Sequence, residues 1–397
     1  MALNQETNQV PLYTYAFLVL CLSHVLFGAS FSMMLAELPD HLKNLGGEEY
    51  IGLIIGLFTL TAGLSRPFSG KLTDTIGRIP VMIIGTVVCI FCSLSYPFIS
   101  SVAGFLFLRL IHGFSTGFKP TASTAYVADI VPSHRRGEAM GILGVSLNVG
   151  TSGAPPFGSY LVNNFSIDTM FFTSSFLAVI SVVLLLGLKE TLRDKKRFNA
   201  KLLFLKKEEL FHSAGLRPAI ITFSLYFGFG AILTIVPNQC VHLGIENKGL
   251  YLGIITASSI ASRLVAGRVS DIYGRLPVLK VALFCVICSL VFFGYANSPT
   301  WLFLASGLLG FSFGISSPAM FAWVIDRADP KYLGRVLATV YIALEAGIGL
   351  GALISAEVYQ NNVDNFTLSF WVIAAVSTLG LFYLMSIKKE DPYVTPS

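Results

Sequence analysis

This sequence predicts an all-helical integral membrane protein, with twelve transmembrane helices in two pseudo-symmetric six-helix bundles. Three observations carry that reading. Of 397 residues, 54% are hydrophobic and only 12% charged, with a mean hydropathy of +0.71; a soluble domain carries about 25% charged residues. Twelve stretches meet the length of about 20 mostly apolar residues that a membrane helix needs. One stretch also occurs twice. Gly52 to Val81 (GLIIGLFTLTAGLSRPFSGKLTDTIGRIPV) matches Gly249 to Val278 (GLYLGIITASSIASRLVAGRVSDIYGRLPV) without a gap at an offset of 197. The same offset relates Gly113 to Gly310, Asp129 to Asp326 and Gly150 to Gly347, so the chain is two homologous halves.

The predicted spans run over about 12–37, 49–70, 79–99, 104–127, 137–161 and 168–188 in the first half. In the second they cover about 216–240, 249–268, 278–296, 300–326, 335–358 and 366–387. The opening MALNQETNQVPLY has no basic segment, so the first apolar run reads as a span and not as a signal peptide. Short loops make successive spans antiparallel. The domains expected are therefore 1–188, a polar linker at 189–215 partly able to form an amphipathic surface helix, and 216–397.

Lysine and arginine set the orientation. Lys71, Arg78, Arg135, Arg136, the linker cluster, Arg268, Arg275, Lys280, Arg327, Lys331, Arg335, Lys388 and Lys389 share one side of a twelve-span arrangement, and the opposite loops hold only Lys43 and Lys248. Both termini are then cytoplasmic, and the net charge of +5 is a topology signal. No aromatic-interleaved basic patch suggests nucleic acid. The six cysteines, including Cys89-x-x-Cys92 and Cys285-x-x-Cys288, lie in or beside apolar runs and read as packing residues, neither a disulfide framework nor a metal site.

Gly70-Lys-Leu-Thr-Asp74-Thr-Ile-Gly77-Arg78, repeated at Gly267, Asp271, Gly274 and Arg275, resembles the G-x-L-x-D-x-x-G-R signature of the major facilitator superfamily. The resemblance covers nearly the whole chain and implies two bundles rocking about a central cavity. Physically, Gly70 would let another helix approach, Asp74 would be held by helix N-termini and guanidinium groups, Gly77 would permit a tight turn, and Arg78 would supply the cation. In the resembled family this charge cluster, here with Asp129, latches the halves together on the cytoplasmic side. Arg66 and Arg263 lie about eight residues, roughly 12 Å, inside their spans and read as structural groups near that gate.

The fourth span carries Arg109, His112 and Lys119, while the repeat places Ser306 and Ser316 opposite Arg109 and Lys119. Arg109 with the following glycine resembles the family's proton-coupling pattern. A lysine this deep either faces a cavity as an anion site or reaches the cytoplasmic interface. His112 either titrates or is hydrogen-bonded core. In the fifth span, Gly150-x-x-Gly153-Ala-Pro155-Pro156-Phe-Gly158 resembles, with altered spacing, the signature of the proton-linked efflux branch. Its glycines suit close packing and its prolines a kink.

Glu345 is the only acid deep in any span, and its twin is the neutral Asn148. It reads as a proton carrier or as the fixed partner of Arg109 or Lys119. Drug exporters often carry an acid in the first span, where this chain has His24. Tyr226, Asn238 and Gln239 on the seventh span, with Lys119 and His24, are the expected substrate contacts. The expected function is secondary active transport, as proton-coupled export (antiport) of an anionic, zwitterionic or amphipathic small organic solute. The alternative is proton symport uptake of a small carboxylate or sugar-like solute. No H-E-x-x-H and no phosphate loop support an enzyme or an ATP-driven pump. The expected partners are substrate and lipid bilayer, with the proton as coupling ion, no cofactor or metal, and no nucleic acid. A monomer in a bacterial inner membrane is the expected setting, as the family usually has it.

Overall fold

The computed structural model describes residues 13–132, 135–199, 212–328 and 333–387. Twelve long helices appear among them: α1 (Tyr15–Ser32), α3 (Ile51–Thr73), α4 (Arg78–Ser95), α5 (Val102–Ile130), α6 (Arg136–Asn164) and α7 (Ile167–Leu186), then α8 (Leu216–His242), α9 (Leu250–Tyr273), α10 (Arg275–Gly294), α11 (Pro299–Arg327), α12 (Leu333–Tyr359) and α13 (Phe366–Ser386). A short helix α2 (Leu38–Asn44) follows α1. The first span is therefore shorter than its apolar run: Ser32 bonds back to the Gly28 carbonyl at 2.7 Å, and the chain turns through 33–37 before Pro39 restarts it in α2.

Nine of these helices are long and apolar enough to cross a membrane on composition alone. α5, α6 and α9 complete the twelve. They contain Arg109 with Lys119, the glycine-rich stretch and Arg263, the polar features that lower their hydropathy. Segment 189–199 is irregular, residues 200–211 of the expected linker lie outside the described residues, and Ser213–Gly215 forms a 3-10 turn leading into α8.

The duplication persists at atomic scale. A Cβ on Gly113 would stand 2.0 Å from the Phe58 carbonyl oxygen, and one on its twin Gly310 2.1 Å from that of Ile255. A Cβ on Gly117 or on Gly314 would fall 1.8 Å from the Oγ of a serine of the facing helix, Ser65 or Ser262. Thr61 donates to the Leu110 carbonyl at 2.6 Å, as its twin Ser258 does to Gly307 at 2.7 Å. Only glycine permits backbones this close, so α5 lies directly on α3 and α11 on α9. Within each half α1 packs on α6 and α8 on α12; between halves α3 meets α12 and α6 meets α9, again as repeat-related pairs.

Candidate functional site

The seam between the halves is built from small residues at helical spacing. On α3, positions 52, 56, 59, 63, 66 and 70 share one face. A Cβ on Gly52 would meet the Ala356 Cβ at 2.7 Å, one on Gly56 the Leu353 side chain at 3.0 Å, and one on Gly63 the Glu345 Cβ at 3.3 Å. On the same face Gly70 has nothing within 4 Å. On the symmetric seam a Cβ on Gly249 would meet the Pro155 backbone at 2.2 Å and one on Gly253 the Pro156 ring at 3.0 Å, while Gly141 faces open space. The halves thus touch from the end bearing Lys248 to mid-span and then part toward the end bearing the repeated Gly-Arg motifs. Gly70 accordingly has no helix against it, contrary to the sequence expectation.

Where contact ends stand two related polar pairs. Arg66 Nη2 donates to Glu345 Oε1 at 2.6 Å, with side chains 13% and 9% exposed. The Arg66 guanidinium also lies 4.7 Å from the Tyr341 ring centroid. With its amide oxygen turned toward the seam, Asn148 accepts from both terminal nitrogens of Arg263 at 3.1 and 3.2 Å. Arg66 and Arg263 are twins, and so are Glu345 and Asn148. The partner of Glu345 is therefore Arg66, from the other half, and neither Arg109 nor Lys119. One symmetric site holds an ion pair and the other a neutral amide.

The end away from the motifs is closed by a second set of cross-half contacts. Lys248 Nζ lies 2.6 Å from both Glu37 and Asp40, with Lys248 10%, Glu37 2% and Asp40 40% exposed. Asn247 and Asn163 donate across the seam to the carbonyls of Pro156 and Glu246 at 2.9 and 2.8 Å, while Ser159, on the same half as Glu37, donates to Glu37 at 2.5 Å and accepts from the Gly249 amide of the other half at 2.9 Å. Burial alone would drive the proton off Lys248, but the two carboxylates outweigh it and raise its pKa. Of these charges only Lys248 stood out in the sequence. Their pairing is invisible there, because Glu37 and Lys248 are remote in the chain and their repeat positions, Thr234 and Ile51, are uncharged.

At the motif end the charge clusters stay within each half. Arg78 bonds Asp74 and Asp129, both at 3.0 Å, and the Thr73 carbonyl at 2.6 Å. Arg275 likewise engages Asp271 and reaches Asp326 at 3.3 Å. The expected latch across the halves is therefore not formed by these pairs. Asp74 is 73% exposed and, among the described residues, paired with Arg78; the carboxylate at a helix N-terminus is Glu190, which accepts from the amides of Arg78 and Ile79, each at 3.0 Å. Gly77 makes that possible: its φ is +123°, and a Cβ would lie 2.5 Å from Glu190 Oε2. Gly274 repeats the conformation at φ +89°, and Gly267 sits within α9.

The remaining sequence candidates separate into seam and bundle interior. Tyr226 is half-buried on α8, stacked on Phe313 at 5.3 Å and 11°, and lies in the field of Arg263, Tyr341 and Glu345. Asn238 is half-buried beside Tyr359. Lys119 reaches neither cavity nor membrane surface. Its Nζ is 0% exposed and is caged by the Ser23 carbonyl at 3.0 Å, Ser23 Oγ at 2.9 Å, Ser181 Oγ and the Phe27 ring. Serines of α1 and α7 supply the oxygen shell that makes this burial tolerable. His24 is buried, and its Nδ1 has no partner among the described residues.

Both nitrogens of His112 are engaged, by Tyr96 and Cys89 at 3.3 Å each, inside the first bundle. Gln239 donates to the Phe293 carbonyl at 2.8 Å, which turns it into the second bundle. Arg109 is fully buried over the Phe58 ring at 4.6 Å and near Tyr96; its Nε donates to the Ile54 carbonyl at 2.9 Å, and its terminal nitrogens have no close hydrogen-bond partner among the described residues. In the fifth-span signature, a Cβ on Gly150 or Gly158 would stand 2.1 or 2.0 Å from the carbonyl oxygen of Val25 in α1 or of Met33 at its end, Gly153 faces open space, and Pro155 and Pro156 form the seam.

Two glycine-paved seams, twelve long helices and repeat-related polar pairs define a pseudo-symmetric transporter of small solutes. The model of the Major Facilitator Superfamily matches residues 20–296 and 218–397, and the chain belongs to that superfamily. It is a multi-pass membrane protein and a secondary active transporter. It is 29% identical over 353 residues to the multi-drug resistance efflux pump PmrA of Streptococcus pneumoniae, covering 84% of this chain and 86% of the pump. Multidrug resistance protein MdtG of Enterobacter lignolyticus is 26% identical over 94% of this chain and 92% of its own. Among solved structures, the human organic anion transporter MFSD10 superposes with a TM-score of 0.71 at 21% identity, covering 93% of this chain and 98% of that one. A D-xylose-proton symporter superposes with a TM-score of 0.72 at 18% identity, covering 93% and 96%.

Proposed function

We propose that the chain is a proton-coupled exporter of small amphipathic organic solutes, working as a monomer in a bacterial inner membrane with both termini cytoplasmic. The bodies that rock are residues 1–188 and 216–397, joined by 189–215. The observation that carries this reading is the Arg66–Glu345 pair, which joins the two halves where the seam stops. Relatives named as multidrug efflux pumps, matched over most of their length, support the direction of transport. With the motif end cytoplasmic, as the basic residues suggest, the conformation is inward-facing, with the Lys248 latch as its outer gate.

The chemistry follows from one proton. Ionised Glu345 holds Arg66 and hence the α3–α12 seam; protonated Glu345 loses most of that attraction, and the seam is free to rearrange. Proton uptake from outside and release inside then alternates the two arrangements. Arg109, bonded to the α3 backbone at Ile54 beneath this seam face, modulates the pair through that helix. The test uses everted vesicles with an imposed proton gradient and a pH-sensitive dye. Wild type should release protons when an amphipathic substrate is added, and Glu345→Gln should not. Equal responses would remove Glu345 as the carrier, and proton-driven uptake into right-side-out vesicles would reverse the direction.

A further inference from the structure

The repeat places two arginines on the seams and provides only one carboxylate. Arg66 is neutralised by Glu345. Arg263 meets the uncharged amide of Asn148, and its Nε is buried without an acceptor. Among the described residues no carboxylate pairs with it. The groups facing it are Asn148 from α6 and Tyr226 from α8, with Tyr341 and Glu345 of α12 near Tyr226. The mid-span seam therefore carries one uncompensated positive charge while Glu345 is ionised. A cation at that depth is costly unless something meets its charge.

Beside Arg263 stands an aromatic wall. Tyr226 lies flat on Phe313 at 5.3 Å, and Phe229 meets Phe313 edge-on at 5.3 Å and 88°. A planar apolar body packs on such a wall, and a guanidinium pairs best with a planar or tetrahedral oxyanion. We infer that Arg263 anchors the substrate's anionic group, with the substrate's aromatic body against Tyr226 and Phe313. The ligand class is an amphipathic aromatic anion, or a zwitterion through its acidic arm. Its oxyanion supplies at Arg263 the charge that Glu345 supplies at Arg66. A lipophilic cation is repelled at the same place, which makes Arg263 a specificity residue. This inference rests on the transport reading above only in seating substrate at the seam.

The test is binding to the purified full-length protein in detergent, read by fluorescence anisotropy. The probes are fluorescein, an anionic xanthene dye, and rhodamine 6G, a cationic dye on the same ring system. Wild type should bind fluorescein the more tightly. Arg263→Gln, which keeps a hydrogen-bonding partner for Asn148, should weaken fluorescein by at least about 30-fold and leave rhodamine 6G unchanged or tighter. Arg263→Lys should restore part of the preference, and Lys119→Met should leave it intact. Wild type that fails to bind fluorescein, or binds rhodamine 6G equally, overturns the inference. So does an Arg263→Gln protein that loses both dyes alike. Binding in detergent needs no gradient, so anion-selective binding without proton-coupled flux would overturn the export reading and leave the anchor standing. Proton-coupled export of rhodamine 6G with no fluorescein binding would do the reverse.

Discussion

Removing the cation of the Lys248 latch should open the end of the molecule that it holds shut. In Lys248→Gln two contacts at 2.6 Å are lost. The arm to Glu37 is buried, with side chains 10% and 2% exposed, and breaking a buried pair on one side costs about 3–5 kcal/mol. Ser159 still donates to Glu37, which places the cost near the lower bound. The arm to Asp40 is 40% exposed on the acid and adds less than about 1 kcal/mol. A loss of about 3 kcal/mol shifts the closed-to-open ratio by about 100-fold. Spin labels at Ser100 and Asn297, exposed repeat-related positions in loops of opposite halves, would read this as a new population at longer distance. An unchanged distance distribution in a folded Lys248→Gln protein would refute the latch.

Four further outcomes are expected. Because its neighbouring carboxylates raise the pKa of Lys248 from 10.5, the latch contribution is full below that value and is lost only as pH rises through the raised one. The Ser100–Asn297 distance should therefore stay flat on titration from about pH 7 to 10. Arg66→Gln leaves Glu345 facing no cation and should abolish substrate-driven proton release as Glu345→Gln does, measured in the same vesicles. Gly117→Ala forces a methyl onto Ser65 and should lower the yield and melting temperature of purified protein, whereas Gly70→Ala, with nothing within 4 Å, should leave both unchanged. Gly77→Ala meets both a positive φ and the Glu190 carboxylate, a strain of about 1–3 kcal/mol; thermal unfolding should show it, and Glu190→Ala should relieve only the steric part.

The amino-acid order alone determined the class of molecule, the duplication and the family, because these depend on properties that repeat locally. Apolar length sets a span, and an ungapped 197-residue offset sets the symmetry. It also singled out Glu345 and its uncharged twin Asn148, since symmetry makes an asymmetric charge conspicuous. What it could not determine was direction and partner. Lys119 and Glu345 are both charges within spans, yet one is caged by serines inside a bundle and the other bridges the halves. Gln239 and Tyr226 lie on one helix and point into different surroundings. Only tertiary packing chooses among such neighbours, because helix crossings bring together residues hundreds of positions apart, and in a low-dielectric interior a charge is defined by whatever stands within a few ångströms of it.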